Sequence, residues 1–454
     1  MEHDTIAALS TPLGRGGIAV IRISGDETLP VLSAVVESLP PALRSRKAYH
    51  SFIHKAGKRI DECLVTFFKG PKSYTGEDVA EISVHSSPFV VESILELIFR
   101  HNVRQALPGE FTFRAFKNGK MDLIQAESVN ELINANSRYH ASMKFDNLEG
   151  KLSDLVSTLR QHLLELGVRI ESVIEFQEDQ YLDHIEISDE IAKAIEVIER
   201  VVSHSRFNDV LDKGFNIVIA GKVNVGKSSL FNHLLMEDRS IISSIPGTTR
   251  DFIKEKVYID GFPFEITDVA GINNATDDHI ESIGIARSFE KIAKSDAVIF
   301  LLDASRPLEE TDTGIYDSIR EKEKLILINK LDAAQQRNLE ALRGFFTERE
   351  EEFFEISLKD EMNVDVVPFF LKRMVKRIES QAADFSINQR QKNLLERLLE
   401  VLNTVNRMVA EGTAEVEIIA ENIRAGMDLI GQLTGHISTD DILNRIFATF
   451  CVGK

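Results

Sequence analysis

The stretch Gly221-Lys222-Val223-Asn224-Val225-Gly226-Lys227-Ser228 decides the fold of the domain that contains it. It fits the pattern G-x-x-x-x-G-K-[ST], in which a glycine-rich loop joins a β-strand to the start of an α-helix. An apolar strand is predicted at residues 216–220, directly before it, and a helix directly after it. Backbone N–H groups of such a loop close on phosphate oxygens, so the sequence predicts a nucleotide-binding α/β domain.

Three further motifs follow in the order of a guanine-nucleotide site. Asp268-Val269-Ala270-Gly271 ends a predicted strand, with the Asp expected behind Mg²⁺ and the Gly N–H at the γ-phosphate. Asn329-Lys330-Leu331-Asp332 ends another, and its Asp can accept two hydrogen bonds from N1 and N2 of guanine, which adenine cannot supply. Ser357-Leu358-Lys359 follows the last strand and is expected to back the base. Together they predict GTP rather than ATP.

Two P-loop residues and one switch residue are assigned to phosphate and Mg²⁺. Lys227 is predicted to meet the β- and γ-phosphates, and Ser228 to hold Mg²⁺. Gly247-Thr248-Thr249-Arg250-Asp251 lies where a switch loop is expected, and Thr249 is predicted to complete the Mg²⁺ shell.

The position of the catalytic water is not explained by these motifs. Ras-like enzymes orient it with a Gln directly after D-x-x-G, but this chain has Ile272 there. Arg250 and Glu281 are the candidates to act instead, although each is also compatible with an ordinary surface residue.

Composition limits the class of protein. The chain has 454 residues, with 53 Lys or Arg against 72 Asp or Glu, a formal net charge of −19. The overall composition and the lack of a long apolar run predict a soluble protein without a membrane partner. Two cysteines cannot build a disulfide framework, which favours a cytoplasmic protein. Residues 1–120 hold 15 basic and 13 acidic side chains, so RNA would meet the least repulsion there.

Periodicity divides the chain into four segments. Residues 1–120 are predicted to be mostly β, with strands near 18–23, 63–68 and 79–84 and a helix over 88–99. Residues 121–213 are helical, 214–379 alternate strands with helices as a parallel sheet requires, and 380–454 are helical again. The α/β domain is therefore predicted to be inserted into one helical domain.

The whole chain resembles the MnmE (TrmE) family of tRNA-modification GTPases. Besides the nucleotide motifs, the resemblance rests on six short stretches: Gly14-Arg15-Gly16-Gly17, Arg22-Ile23-Ser24-Gly25, Thr75-Gly76-Glu77-Asp78, Pro108-Gly109-Glu110-Phe111, Lys120-Met121-Asp122-Leu123 and Phe450-Cys451-Val452-Gly453-Lys454. It implies a multidomain α/β protein in which a Ras-like G domain is inserted into a helical domain. An α+β domain that binds tetrahydrofolate and forms a homodimer is implied to precede them.

The resemblance also implies a function. The family works with the FAD-dependent protein MnmG (GidA), in a heterotetramer, to modify C5 of the tRNA wobble uridine. The products carry aminomethyl or carboxymethylaminomethyl groups, and the one-carbon unit comes from a 5-formyl or 5,10-methylene tetrahydrofolate. GTP hydrolysis drives a conformational cycle in which G domains pair.

Site residues follow from the same resemblance. K⁺ is implied to be held by Asn224, Ser243, Ile245 and Thr248, and Glu281 to orient water through a second water. The implied folate residues are Arg22, Glu81, Lys120 and Lys454. The full predicted GTP-binding set is Asn224, Val225, Gly226, Lys227, Ser228, Ser229, Ser243, Ser244, Ile245, Pro246, Gly247, Thr248, Thr249, Asp268, Val269, Ala270, Gly271, Asn329, Lys330, Asp332, Ser357 and Lys359.

Cys451 has three interpretations. It is a buried small residue, a prenylated C-terminal cysteine, or a thiol needed for the modification. Prenylation is rejected because Gly453 is not aliphatic, Lys454 is an atypical last residue and no basic cluster precedes the motif. The resemblance supports the third interpretation, in which the thiol has either a chemical or a folate-orienting role.

The sequence departs from the family at a few positions, including Val269 for Thr and Ser86-Ser87 for two glycines. None of these removes a predicted ligand. Two other functions stay open at this stage, namely a ribosome-assembly GTPase of the same superfamily and a nucleotide-gated dimeric scaffold.

Overall fold

The computed structural model describes residues 4–135, 137–175, 184–203, 214–237, 254–259, 262–268, 290–379, 386–411 and 415–453. The chain divides into two compact units, which are described separately. The first comprises Met1–Asn134, Lys144–Arg200 and Gln389–Lys454, and the second comprises Ala135–Met143 and Val201–Asn388. In chain order the second unit interrupts the first, as the predicted insertion requires.

A six-stranded sheet opens the first unit. Its strands are β1 Thr5–Leu9, β2 Gly16–Ser24, β3 Ala48–Lys55, β4 Lys58–Phe68, β5 Val79–Ser86 and β6 Val103–Gln105, in the order β3-β4-β5-β2-β1-β6. Helices α1 Thr28–Val35, α2 Pro88–Phe99 and α3 Glu110–Lys117 accompany it. Alternate residues of β2, Ala19, Ile21 and Ile23, are buried, because successive strand side chains point to opposite faces. The three predicted strands and the helix over 88–99 are confirmed, whereas β1, β3, β6 and α1 were not predicted.

Helices α4 Leu123–Ile133, α5 Arg138–Glu149, α6 Lys151–Glu175 and α7 His184–Ser203 follow. The beginning of α5 belongs to the second unit. The predicted apolar stripe of α6 is buried at Leu152, Leu159, Leu163 and Leu166. Leu155, which continues the same stripe, is only half-buried.

The second unit is built on a second six-stranded sheet. Its strands are β7 Phe215–Ala220, β8 Lys254–Ile259, β9 Phe262–Asp268, β10 Ala297–Asp303, β11 Glu323–Asn329 and β12 Phe353–Glu355, in the order β12-β11-β10-β7-β9-β8. All pairs are parallel except β8 with β9. Helices α8 Lys227–Glu237, α9 Glu310–Ile319, α10 Gln336–Thr347 and α11 Val366–Glu379 accompany the strands. Every residue of β10 is buried, as expected for a central strand covered on both faces.

Helices α12 Gln389–Glu411, α13 Val416–Thr434 and α14 Asp440–Phe447 complete the first unit. Helix α13 packs against both α6 and α12, so the two helical segments form one body as predicted. Arg390 of α12 donates to Glu127 of α4 at 2.6 Å and fixes the two segments to each other. In the described residues, no helix combines the length and apolar character needed to cross a bilayer.

Candidate functional site

The glycines of the P-loop occupy positions that side chains cannot. Gly221 has φ +145°, and a Cβ there would lie 2.4 Å from the Leu301 carbonyl oxygen. Gly226 has φ +110°, and its Cβ would lie 2.4 Å from the Asn329 amide nitrogen. Since positive φ and such close approach both require glycine, these residues set the shape of the loop between β7 and α8.

Lys227, the first residue of α8, turns back into the loop. Its side chain is almost fully buried, and Nζ donates to the carbonyl oxygens of Gly221 at 2.6 Å and Lys222 at 2.5 Å. A buried ammonium group is stable only with such partners, so these two carbonyl oxygens hold the cation within the loop. Ser228 and Ser229 follow in the exposed first turn, and Val225 is buried beneath the loop.

Asn329 joins the P-loop to the loop after β12. Its side chain is buried, its Nδ2 donates to Val225 O at 2.8 Å, and its Oδ1 accepts from Leu358 N at 3.1 Å. The side-chain amide of Asn329 therefore hydrogen-bonds to both loops at once. Its position follows from β11, which ends at Asn329 at the same sheet edge as β7.

Lys330 forms a second link to the P-loop. Its Nζ donates to Asn224 O at 2.6 Å and pairs with Asp303 at 2.8 Å. Burial would raise the pKa of Asp303, but hydrogen bonds from Lys330 and Ser305 outweigh it and lower the pKa. Asp303 was not predicted from the sequence. It is the last residue of β10, and this strand-end position could have identified it as a site residue.

The predicted base-binding residues also come together. Ser357 is buried and its hydroxyl donates to Asp332 Oδ1 at 2.9 Å. Lys359 Nζ lies 3.6 Å from the other oxygen of that carboxylate and is largely exposed. The Asp332 carboxylate is thus held in place by a contact at each of its two oxygens.

Lys222 is a contact that the motif alone did not reveal. Its Nζ pairs with Asp312 at 2.7 Å and Glu309 at 3.0 Å, both at the start of α9. Burial would lower the pKa of Lys222, but the hydrogen bonds to these two carboxylates outweigh it and raise the pKa. This pair of contacts anchors the P-loop from outside.

Of the other residues predicted for the GTP site, Asp268 lies within the described part of the chain. Strand β9 pairs with β7 so that Asp268 stands opposite Ile219, which puts the Asp268 backbone beside the P-loop. The remaining predictions fall outside the described residues, namely Ser243, Ser244, Ile245, Pro246, Gly247, Thr248, Thr249, Arg250, Val269, Ala270, Gly271, Glu281 and Lys454.

The predicted folate residues are partly assembled in the first unit. Arg22 and Glu81 stand opposite each other on β2 and β5, with Arg22 donating twice to Glu81 Oε1, at 2.8 and 3.1 Å. The guanidinium also lies over the rings of Tyr74 and Phe111. Lys120 donates instead to Pro71 O at 2.9 Å, and among the described contacts no hydrogen bond joins it to Arg22 or Glu81.

The C-terminal tail is anchored by its backbone. Gly109 N donates to Cys451 O at 3.3 Å, Pro108 pairs with Val452, and Ser10 Oγ donates to Gly453 O at 3.1 Å. The Cys451 side chain is exposed, so its interpretation as a buried small residue is wrong.

A cavity of about 980 Å³ lies beside this tail. Its walls are residues 8–13, one face of α2, and Cys451 with Val452. Arg22, Glu81 and Lys120 are not among the residues that line it. The exposed thiol therefore borders a space large enough for a small molecule, separate from the Arg22–Glu81 pair.

Comparison with known proteins covers the whole chain. Residues 5–120 match the family described as GTP-binding protein TrmE N-terminus, and residues 123–451 match the MnmE helical domain. A Thermotoga petrophila protein named tRNA modification GTPase MnmE is 38% identical over 99% of this chain and 100% of its own length. Proteins of the same name from Aquifex aeolicus and Alkaliphilus oremlandii are each 36% identical, over 100% and 99% of this chain and equal shares of their own.

Proposed function

The chain belongs to the MnmE family of tRNA modification GTPases, and we propose that it hydrolyses GTP in a K⁺-dependent cycle serving modification of the tRNA wobble uridine at C5. GTP, GDP and Mg²⁺ are the ligands of its second unit. The main support is the Asn329 amide, which links the P-loop at 2.8 Å to the loop whose Ser357 holds Asp332. This arrangement couples the phosphate end of the site to the guanine end.

In this proposal the chain's own residues divide the work of hydrolysis. Lys227 faces the β- and γ-phosphates, Ser228 and Thr249 hold Mg²⁺, and Glu281 orients the attacking water. Asn224, Ser243, Ile245 and Thr248 would hold a K⁺ ion, which would offset the charge that develops on the phosphates as an arginine would. Asn224 fits as its ligand, since its exposed side chain makes no hydrogen bond in the described part of the chain. Ser243, Ile245 and Thr248 complete the proposed shell.

The first unit is proposed to bind a tetrahydrofolate derivative through Arg22, Glu81, Lys120 and Lys454. Glu81 fits this role, because Arg22 occupies only its Oε1 and no hydrogen bond to Oε2 is found in the described residues. That free oxygen can accept from the N–H groups of a pterin. Cys451 is proposed to act beside the bound one-carbon unit.

The wider assembly belongs to the same proposal. We infer a cytoplasmic homodimer that joins MnmG, the FAD-dependent partner, and acts on tRNA. The segments 1–120, 121–213, 214–379 and 380–454 are proposed as its domain boundaries. The two family matches, which meet between residues 120 and 123, support the first of these boundaries.

The test is the steady-state rate of GTP hydrolysis by the full chain in KCl and in NaCl at matched ionic strength. We expect acceleration by KCl of about tenfold or more, lost in Asn224→Ala, because one preorganised charge is worth at least that much in a transition state. Glu281→Ala is expected to slow hydrolysis while GTP still binds. Equal rates in the two salts would overturn the K⁺ site, and a wild-type rate in Glu281→Ala would overturn the water-orienting role.

A further inference from the structure

The charge of this protein is reversed in one part of the first sheet. Residues 44–72 hold eight Lys or Arg and two acidic side chains, a net of +6 in a chain of −19. The segment forms β3, β4 and the loops at their ends. Such a local reversal concentrates positive potential on one surface of an otherwise acidic molecule.

Six cations gather at the end of these strands that lies away from the β3–β4 hairpin turn. We call them the basic patch: Arg44, Arg46, Lys47, Lys69, Lys72 and Lys120.

Hydrogen bonds bring the loops of the basic patch together. Arg46 N donates to Phe67 O at 2.7 Å and its guanidinium donates to Lys72 O at 3.1 Å. Lys69 N donates to Ser45 Oγ at 3.1 Å. Lys120 Nζ donates to Pro71 O at 2.9 Å, which adds the segment after α3. The cations thus come from three separate stretches of sequence, which these hydrogen bonds hold as neighbours.

The charges of the basic patch are not neutralised from within. All six residues are exposed, and no ion pair joins any of them to an acidic side chain in the described residues. Asp78, the acidic residue at this loop, is turned to the backbone N–H of Gly70 at 2.8 Å. At the hairpin end of the same strands Arg59 is neutralised by Glu37, which lies 2.7 Å away.

We propose that the basic patch is the surface on which the first unit docks the sugar-phosphate backbone of tRNA. The inference rests on the proposed function and adds the place of contact. Clustered, unpaired cations release condensed counterions when they meet a row of phosphates, which supplies affinity without reading sequence. The hydrogen bonds between the loops favour a fixed spacing of these cations. The net negative charge of the rest of the chain disfavours RNA contact elsewhere.

The test compares two charge-matched pairs in the full chain. Lys69→Glu with Lys72→Glu alters the basic patch, and Lys55→Glu with Lys58→Glu makes the same change of net charge at the β3–β4 hairpin turn. Binding of fluorescently labelled tRNA is measured by anisotropy between about 50 and 200 mM salt. Lys120 is left unchanged, because it also belongs to the proposed folate set. Thermal unfolding of each variant, followed by circular dichroism, shows whether the altered sheet is still folded.

We expect the basic-patch pair to weaken tRNA binding about tenfold or more. The slope of log K against log salt concentration should become shallower by about 1 to 2. In the hairpin pair both quantities should change far less. Equal losses in both pairs, or no tRNA binding by the wild type, would overturn the proposal. So would loss of binding to phosphatidylserine vesicles with tRNA binding unchanged, since the patch would then be a lipid surface. If the basic-patch pair keeps wild-type tRNA binding and still supports wobble-uridine modification, this surface is rejected but the proposed function stands. If the Glu pair does not fold, Lys69→Gln with Lys72→Gln makes the same prediction with a smaller loss.

Discussion

The nucleotide site of the second unit is assembled in the opposite way to the tail site of the first. We call the tail site the place where residues 451–453 meet Ser10 and Pro108. Strands β7, β10 and β11 run parallel and end at one edge of a sheet, so residues that follow each strand meet there by topology. The tail site joins residues from the two ends of the chain, with Ser10 and Gly453 in contact at 3.1 Å. A parallel sheet thus builds a site from strand ends, whereas the tail site forms only if the last residues close on β1.

The two sites also differ in what holds them. Ion pairs and side-chain hydrogen bonds shape the nucleotide site, as at Lys330 with Asp303 and Lys222 with Asp312. The tail is held through its own backbone, which is contacted by the backbones of Gly109 and Pro108 and by the Ser10 hydroxyl. Charge changes should therefore affect the first site, and changes of backbone freedom the second.

The largest effect should come from exchanging the base specificity of the nucleotide site. Asp332→Asn replaces an acceptor of two hydrogen bonds by one acceptor and one donor. Hydrogen bonds to charged groups are worth about 1.5–3 kcal/mol each, so GTP affinity should fall about 10²-fold or more. Xanthosine triphosphate, whose base has a carbonyl in place of the guanine amino group, should bind this variant better than GTP.

Asp360→Asn is the matched control, since Asp360 is exposed and lies in the neighbouring loop after β12, whose Ser357 contacts Asp332. Titration with fluorescent nucleotides measures both variants. Unchanged GTP affinity in Asp332→Asn would show that the guanine edge is read by another residue.

The next largest effect concerns the two thiols, both in the first unit. Cys63 is 2% exposed, and burial raises its pKa to about 12, with Asp61 and Glu62 adding to the shift. Cys451 is exposed. Because the thiolate is the reactive form, a thiol reagent at pH 8 should modify Cys451 about 100-fold faster than Cys63 in the native protein.

The same pKa shift has a consequence for stability. Between the ordinary value of 9.0 and about 12, the unfolded chain loses the Cys63 proton and the folded chain keeps it. Stability should therefore decrease as pH rises through this interval, and less so in Cys63→Ala. Mass spectrometry of labelled peptides and alkaline unfolding curves check the two statements. Equal labelling of the thiols would contradict the burial of Cys63.

The contrast between the sites explains which parts the sequence could predict. The motifs around Lys227, Asn329 and Asp332 are contiguous, and each follows an apolar strand, so their meeting was predictable from a parallel sheet. The antiparallel edge strand β8, the short β6 and the parallel pairing of β1 with β6 carry no comparable local signal. Gly453 against Leu9 and Arg390 against Glu127 are contacts between distant segments, which no local pattern encodes. The family resemblance named Arg22 and Glu81, but not that they pair with each other.

A smaller effect should follow from Gly453→Ala, which tests the backbone control of the tail. Gly453 has φ +96°, and a Cβ there would lie 2.2 Å from the Leu9 carbonyl oxygen. Leu9 belongs to β1 and cannot move away, so the tail and Cys451 should shift. We expect wobble-uridine modification to fall about tenfold while GTP hydrolysis stays unchanged, because a strained backbone position costs about 1–3 kcal/mol.

Gly57→Ala is the control, because it strains the backbone without causing a steric clash. Gly57 has φ +80°, but nothing lies within 4 Å of its Cβ position. Nucleoside analysis of tRNA modified by each variant measures the difference. Similar losses in both would mean that general destabilisation, and not displacement of the tail, is responsible.

The smallest effect should be that of Lys222→Met on the P-loop. Its partner Asp312 is only 4% exposed at the side chain, so removing the cation leaves a nearly buried carboxylate without its counter-charge. The P-loop should loosen, raising KM for GTP about three- to tenfold with little change in kcat, since the lost anchor acts on ground state and transition state alike. Lys222→Arg should restore most of the affinity, and Lys294→Met, which breaks the exposed pair with Glu290, should change neither constant. A fall in kcat without a change in KM would place Lys222 in the chemistry itself, and the electrostatic anchoring that distinguishes the nucleotide site from the tail would then need another residue.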